Sequence, residues 1–319
     1  MISKNPLVSV LMPVYNGAEF LSESIESILT QSYKNFTLVI VNDGSTDNTE
    51  EIIHSYQKRD GRIECINQRN KGIVDALNNG LSYCTGELIA RADADDICIS
   101  NRLEMQVQYL SSNLNVGIVG SWVKLFGRKN EIWHHRKYDN FIRNMMFFKT
   151  CGFSHSSVMV RNQVFLDFKY RNDYLYAEDM DLFLRVALES SWKFSNICEV
   201  LVEYRVHNSQ VSEEFKQKQD ESFFKLILKY ILYFLPNVSA SELEIHNRIC
   251  MLVLCENKKE LEESGAWLEK LALAVKKKQG DFYYVFQEKW WNYSQLHIDF
   301  LDRKQTYNSY FTYSDFCCI

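Results

Sequence analysis

The chain has 319 residues, 46% hydrophobic and 24% charged, with only 3 Pro and 12 Gly; this suits one large domain with or without an appendage and excludes a fibrous or low-complexity protein. Its formal net charge of -5 leaves no electrostatic footprint for nucleic acid, so none is expected as a partner. Nine cysteines without a CxxC pair or a zinc spacing, and a start without a signal-peptide pattern, point to reduced thiols and a cytoplasmic location.

Leu7–Met12 reads as a strand closed by Pro13 and a polar turn at Asn16 and Gly17, and residues 18–30 place Leu21, Ile25, Ile28 and Leu29 at helical spacing. Phe36–Val41 is a second buried strand, ending in a polar cluster at 42–47 that opens a helix carrying Ile52, Ile53 and Tyr56. Arg62–Ile66, Gly72–Tyr83 and Glu87–Arg91 read as strand, helix and strand; a helix over 102–111 and an apolar run at Val116–Gly120 follow. This alternation predicts a parallel sheet flanked by helices, with the polar clusters at 13–16, 42–47 and 93–96 on one rim at the strands' C-terminal ends. Beyond 120 the pattern is mixed, with a helix near 179–190 and a strand near 197–205; from about 213 it is nearly all helical.

No apolar run approaches the ~18 residues of a membrane span. Phe223–Leu235 sets Phe224, Leu228, Ile231 and Leu235 at helical spacing with Lys225 and Lys229 between them. It either packs against the rest of the protein or at a homodimer contact, or lies as a peripheral helix on the inner face of the cytoplasmic membrane.

Four clusters carry chemistry. In Asp93-Ala94-Asp95-Asp96, three carboxylates within four residues repel one another, and a divalent cation relieves that conflict; Mn²⁺ and Mg²⁺ take oxygen ligands of this kind. The plain alternative is a solvated loop or helix cap ahead of Arg102. In Asn42-Asp43-Gly44-Ser45-Thr46-Asp47, Gly44 permits a tight turn and Asp43 can accept hydrogen bonds from a base or ribose, although the same residues also suit a turn with an N-cap. Glu178-Asp179-Met180-Asp181 opens a helix; it complements the helix dipole, or supplies a general base for a hydroxyl. In Tyr204-Arg205-Val206-His207, Arg205 suits phosphate and His207 a metal or diphosphate, while His155-Ser156-Ser157 offers groups to an acceptor.

Taken in order, Val8–Asn16, Val41–Asp47, Asn70-Lys71-Gly72 with Ala76-Leu77-Asn78 and Gly80, Ala92–Asp96 with Arg102, His155–Val158, Glu178-Asp179 with Arg185, and Tyr204–His207 resemble the family-2 inverting glycosyltransferases of bacterial polysaccharide biosynthesis. The resemblance covers residues 7–212 and implies a catalytic domain there with the α/β GT-A fold, a Rossmann-like mixed sheet flanked by helices, followed by a mostly helical region at 213–319. It implies that Pro13, Tyr15, Asp43 and Lys71 contact the nucleotide, Asp93 the ribose, Asp95 and His207 a Mn²⁺ or Mg²⁺ ion, and that Asp179 is the catalytic base with Asp181 as substitute. Asp96, Arg102, His155, Ser156, Glu178 and Arg205 are the remaining candidates for donor or acceptor contacts. The implied partners are a nucleotide diphosphate sugar, most simply a UDP-sugar, and an oligosaccharide or lipid-linked acceptor of the O-antigen or capsule type. A sugar nucleotidyltransferase would need a Gly-rich basic phosphate loop that is missing here, and a non-catalytic binding module would not need Asp93, Asp95 and Asp179 together.

Overall fold

The computed structural model describes residues 3–150, 152–174, 176–207, 215–279 and 284–297. The chain forms two compact units, residues 1–142 with 151–219 and residues 143–150 with 220–319.

The first unit opens with β1 (Val8–Val14), α1 (Leu21–Leu29), β2 (Phe36–Asn42), α2 (Thr49–Gln57), β3 (Ile63–Asn67), α3 (Ile73–Leu81) and β4 (Leu88–Arg91), in the order the sequence predicts. β5 (Ile97–Cys98), α4 (Arg102–Ser112), β6 (Val116–Gly127), β7 (Ile132–Trp133) and α5 (Asp139–Met145) follow, then β8 (Met159–Arg161), α6 (Asn162–Asp167), α7 (Glu178–Glu189) and β9 (Lys193–Val206). The strands make one sheet in the order β3-β2-β1-β4-β8-β6-β9-β5, with β7 paired to β6. The parallel expectation holds for β1 to β4; β8 then runs antiparallel to β4 and to β6, and β9 runs parallel to β6. The sheet is therefore mixed.

Every residue of β1 is buried, as expected of a central strand covered on both faces. Pro13 fits there because the Ala92 N–H donates to the Leu11 carbonyl, so that alternation turns position 13 toward the side β4 has already left. Gly80 lets α3 lie close to the sheet: a Cβ there would stand 2.3 Å from Leu11 Cδ1 and 2.7 Å from Val41 Cγ2.

α8 (Lys216–Phe234) has its first four residues in the first unit and the rest in the second, which also holds α9 (Ala240–Cys250), α10 (Lys258–Gln279) and α11 (Tyr284–Gln295). Leu226, Ile227, Tyr230, Ile231 and Phe234 of α8 are buried, and Phe147 stacks against Tyr230, Phe234 and Phe286 at centroid distances of 4.4, 5.4 and 5.6 Å. Burial of Leu226, Ile227, Tyr230, Ile231 and Phe234 supports the packing alternative for this helix, while Phe224, Leu228 and Leu235 of the stripe read from the sequence are only partly buried. No helix among the described residues is long and apolar enough to cross a membrane.

His246 sits inside this core in a fixed tautomer. Its Nε2–H donates to the Phe147 carbonyl at 2.7 Å, and its bare Nδ1 accepts from Trp267 Nε1–H at 3.0 Å. A second proton would face the indole donor, and burial pushes the imidazole down to about 4. With the folded-state value below the unfolded one near 6.5, the contribution is complete above pH 6.5 and is lost as pH falls toward 4. Denaturant titrations followed by tryptophan fluorescence should show the wild type losing on the order of 2 kcal/mol across that window. His246→Gln should be less stable at pH 7 and flatter with pH; an equal slope in both proteins would refute the assignment.

Candidate active site

The parallel strands β1, β2 and β4 deliver Tyr15, Asp43 and Asp93 to one rim, and loop–loop hydrogen bonds fix their spacing. Asn16, at φ 50°, receives its bond from outside: its N–H donates to Ser45 Oγ at 2.9 Å, and its Oδ1 accepts from the Thr46 N–H at 2.8 Å. The Gly17 and Ala18 N–H groups donate to Thr49 Oγ1 and Asp47 Oδ2, which also ties the loop after β1 to the start of α2. Gly44, at φ +72°, could carry no side chain, since a Cβ would lie 2.6 Å from the Asn70 backbone nitrogen.

Asp43 is buried, and its carboxylate organises the entry to α3. Oδ1 accepts from Gln68 Nε2 at 2.7 Å and from the Lys71 N–H at 2.9 Å, while Oδ2 accepts from the Gly72 N–H at 2.8 Å. Lys71 is thus tied to Asp43 through its backbone, leaving an exposed side chain at the rim, as is the Tyr15 ring. Pro13 is buried in β1 beneath them.

The acidic cluster follows β4 on the same rim. Oxygens of Asp93, Asp95 and Asp96 all lie within 4.8 Å of one another. β5 pairs antiparallel with β9, Ile97 with Glu203 and Cys98 with Val202, and so brings the end of β9 back alongside the cluster. His207 Nε2 then meets Asp95 Oδ2 at 2.9 Å, and the Arg205 N–H donates to Asp96 Oδ1 at 3.0 Å. Burial and then the Asp93 and Asp95 charges push Asp96 well above the usual carboxylate range; burial and Asp93 raise Asp95, with His207 acting in the opposite sense. Among the described residues the buried Oδ2 of Asp96 makes no close hydrogen bond, although the Ser156 side chain stands beside the carboxyl. A crowded carboxylate set with an adjoining imidazole is a donor set that fits Mn²⁺ or Mg²⁺.

Arg91 links this cluster to the helix that carries the base candidates. Its guanidinium is buried at the end of β4, donates from Nη2 to Asp93 Oδ1 at 2.6 Å and bonds the Ala92 carbonyl. Its charge also reaches His155, Tyr170 and Glu178. Tyr170 in turn feels Arg91, Asp179, Glu178 and Asp93 together, which puts the start of α7 and the Asp93 cluster in one electrostatic neighbourhood. Asp179 is half-buried there, with Oδ1 accepting from the Met180 N–H at 2.7 Å. His155 bonds the Tyr170 hydroxyl at 2.8 Å and is held neutral by burial and by Arg91. Ser156 is buried, and its side chain stands beside the Asp96 carboxyl, where it favours the charged form.

Three candidates have structural roles instead. Arg102 is 1% exposed; its guanidinium donates to the Arg91 carbonyl at 2.7 Å, to Gln106 Oε1 at 3.2 Å and to Cys98 Sγ at 3.0 Å, so it supports the cluster from beneath. Asp181 is likewise 1% exposed and pairs with Arg185 at 2.7 Å, which removes it as a substitute base. The Arg205 guanidinium is engaged within the chain: its Nε donates to the Asp95 carbonyl at 2.9 Å, its Nη2 pairs with Glu23, and it lies between the Phe20 and Phe126 rings, 4.4 and 4.5 Å from their centroids. Arg91, Gln68 and Tyr170 are participants that the motif reading passes over. Of these only Arg91 leaves a local signal, a cation closing the apolar strand Leu88-Ile89-Ala90 just before three carboxylates.

Burial and the Asp179 charge push Glu178 up to about 7. Because that value lies above the unfolded one near 4.3, its contribution is complete below about pH 4.3 and is lost as pH rises through 7. In EDTA, Glu178→Gln should flatten the fall in unfolding free energy between pH 5 and 7.5 by on the order of 1 kcal/mol. A variant with the wild-type slope would show that Glu178 is ionised throughout.

The glycosyl transferase family 2 profile matches residues 9–168. The O-antigen biosynthesis glycosyltransferase WbnJ of Escherichia coli is 31% identical, over 65% of this chain and 82% of its own length. The UDP-Glc:alpha-D-GlcNAc-diphosphoundecaprenol beta-1,3-glucosyltransferase WfgD of the same organism is 30% identical, over 66% of this chain and 82% of its own. The crystal structure of Staphylococcus aureus TarS 1-349 in complex with UDP-GlcNAc superposes with a TM-score of 0.61 at 15% identity, covering 95% of this chain and 93% of that one, which establishes the shared GT-A fold. The chain belongs to glycosyl transferase family 2 and is a glycosyltransferase of the bacterial polysaccharide-biosynthesis type.

Proposed function

We propose that the protein transfers a hexose or N-acetylhexosamine from a UDP-sugar to a hydroxyl of a lipid-linked O-antigen or capsule oligosaccharide, with inversion and with Asp179 as general base. The observation that carries this reading is the gathering of Asp43, the Asp93–Asp96 cluster with His207, and the Glu178-Asp179 helix start around one rim. The UDP donor and the lipid-linked acceptor draw support from the names of WfgD and TarS. We assign catalysis to residues 1–212 and a packing role to 213–319.

In this reading Asp43 accepts hydrogen bonds from the edge of the uracil, with Pro13, Tyr15 and Lys71 around it, and Asp93 accepts from the ribose. Asp95 and His207, with Asp96 beside them, would hold Mn²⁺ or Mg²⁺. When bound, such an ion supplies charge neutralisation for the departing nucleoside diphosphate. Arg91 holds Asp93 in place and counters the negative charge of the Glu178-Asp179 pair. Asp179 accepts the proton of the acceptor hydroxyl as that oxygen attacks the anomeric carbon. Direct displacement needs only this one base, and it inverts the anomeric centre.

A panel of UDP- and dTDP-sugars, offered with Mn²⁺ or Mg²⁺ and lipid-linked acceptors, tests the reading through nucleotide release. One donor should be turned over, EDTA should abolish the reaction, and Asp179→Asn should slow it by roughly 10²–10⁴-fold while UDP binding by calorimetry is unchanged. Full activity of Asp179→Asn would remove Asp179 from the mechanism, and full activity in EDTA would remove the metal.

A further inference from the structure

We propose that residues 128–138, the turn and strand after β6, form a docking surface for an anionic lipid bilayer. The segment carries Arg128, Lys129, Arg136 and Lys137 against the single acidic Glu131, in a chain whose net charge is -5. Such a local excess, set against the charge of the whole molecule, matches a negatively charged partner. The same segment exposes large apolar side chains, with Ile132, Trp133 and Tyr138 at 43, 40 and 61%.

The backbone beneath these side chains is firmly held. Leu125 N–H donates to the Glu131 carbonyl at 2.8 Å, and Trp122 Nε1 to that of His135 at 3.0 Å. Buried Asn196 donates from Nδ2 to the Arg136 carbonyl at 2.8 Å and from its N–H to that of Lys137 at 3.1 Å. The Trp133 ring lies against Tyr204 with centroids 5.8 Å apart. The segment thus presents its cations and rings from a fixed frame.

Two plainer accounts each explain half of this. β7 pairs with β6 alone, and charges beside an edge strand discourage pairing with other chains; that accounts for the cations but not for Ile132, Trp133 and Tyr138. A soluble phosphate compound would likewise engage the cations and leave the apolar side chains in water. A bilayer interface takes both, with aromatic rings at headgroup level and Lys and Arg drawn to the negative surface. The position also serves the proposed acceptor: the Arg128 N–H donates to the Val206 carbonyl at 3.2 Å, so the segment springs from the sheet edge that carries His207. The inference extends the proposed work on a lipid-linked acceptor. Its test contains no sugar nucleotide, so its failure would leave the donor chemistry standing.

Flotation of the full chain with phosphatidylcholine vesicles, with and without phosphatidylglycerol, provides that test. The protein should float with the anionic vesicles at low salt, remain behind with pure phosphatidylcholine, and be released as salt screens the contact. Each cation near such a surface strengthens binding roughly fivefold, so Lys129→Glu with Lys137→Glu should weaken it at least about tenfold. Trp133→Ser should weaken it as well, and Lys129→Ala with Lys137→Ala repeats the charge test with the mildest change to folding. Inorganic diphosphate should displace the protein no more than sodium chloride of equal ionic strength. Absence of flotation by the wild type, full flotation by both lysine pairs, or displacement by diphosphate beyond that of sodium chloride would each overturn the proposal.

Discussion

β5 is two residues long, yet its antiparallel pairing with β9 governs the site. The parallel strands alone would bring Asp43 and Asp93 to a common rim and leave the acidic loop unbraced. Pairing Ile97 with Glu203 runs the chain leaving Asp96 alongside the chain arriving at Arg205, so that Asp95 and His207, 112 positions apart, stand 2.9 Å from each other. The same pairing sends the Arg205 guanidinium to the Asp95 carbonyl and a ring-lined slot. A cation that sequence would offer to a phosphate is used to hold the carboxylate loop in shape.

Charge crowding is the second constraint. Asp93, Asp95 and Asp96 meet at one end of the site, and Glu178 and Asp179 lie within the same field, with Arg91 buried among them. Burial and neighbouring carboxylates raise the proton affinity of Asp96 and Glu178, which is how repulsion within the site shows itself. A bound divalent ion relieves that repulsion at the acidic loop without protons, leaving the carboxylates charged as ligands. A diphosphate and this acidic loop repel each other unless positive charge stands between them.

The order and type of the elements from β1 through β4, and of α4, are legible in the sequence because each strand is a short apolar run and each helix carries a periodic face, whereas the two-residue β5 between them is too short to leave such a run. The rim is legible for the same reason, since parallel strands must present their C-terminal ends together. What local pattern does not carry is the direction in which each polar side chain turns. Asp179 and Asp181 are equivalent on paper, but α7 turns Asp181 inward to Arg185, and only tertiary placement decides that. Arg102 stands where a helix start would expose it, yet it is 1% exposed because α4 packs over the end of β4. The long pairing of β9 with β6, with register shifts near Ser121 and Trp122, depends on contacts about 75 residues apart and leaves no periodic trace. For α8 the helix and a packing role are legible, but the buried face runs through Leu226, Ile227, Tyr230 and Phe234 rather than Phe224 and Leu228.

The bonds from Asn16 to Ser45 and Thr46 have a consequence for how such a protein can diverge. The turn after β1 and the turn after β2 are measured against each other, so a residue inserted in either would pull three fixed donors and acceptors out of place. The two turns on either side of this contact must therefore keep their lengths jointly. Novelty in sugar choice is easier to reach through stretches under no such mutual restraint, and a designer seeking a new donor would do well to leave these two turns intact.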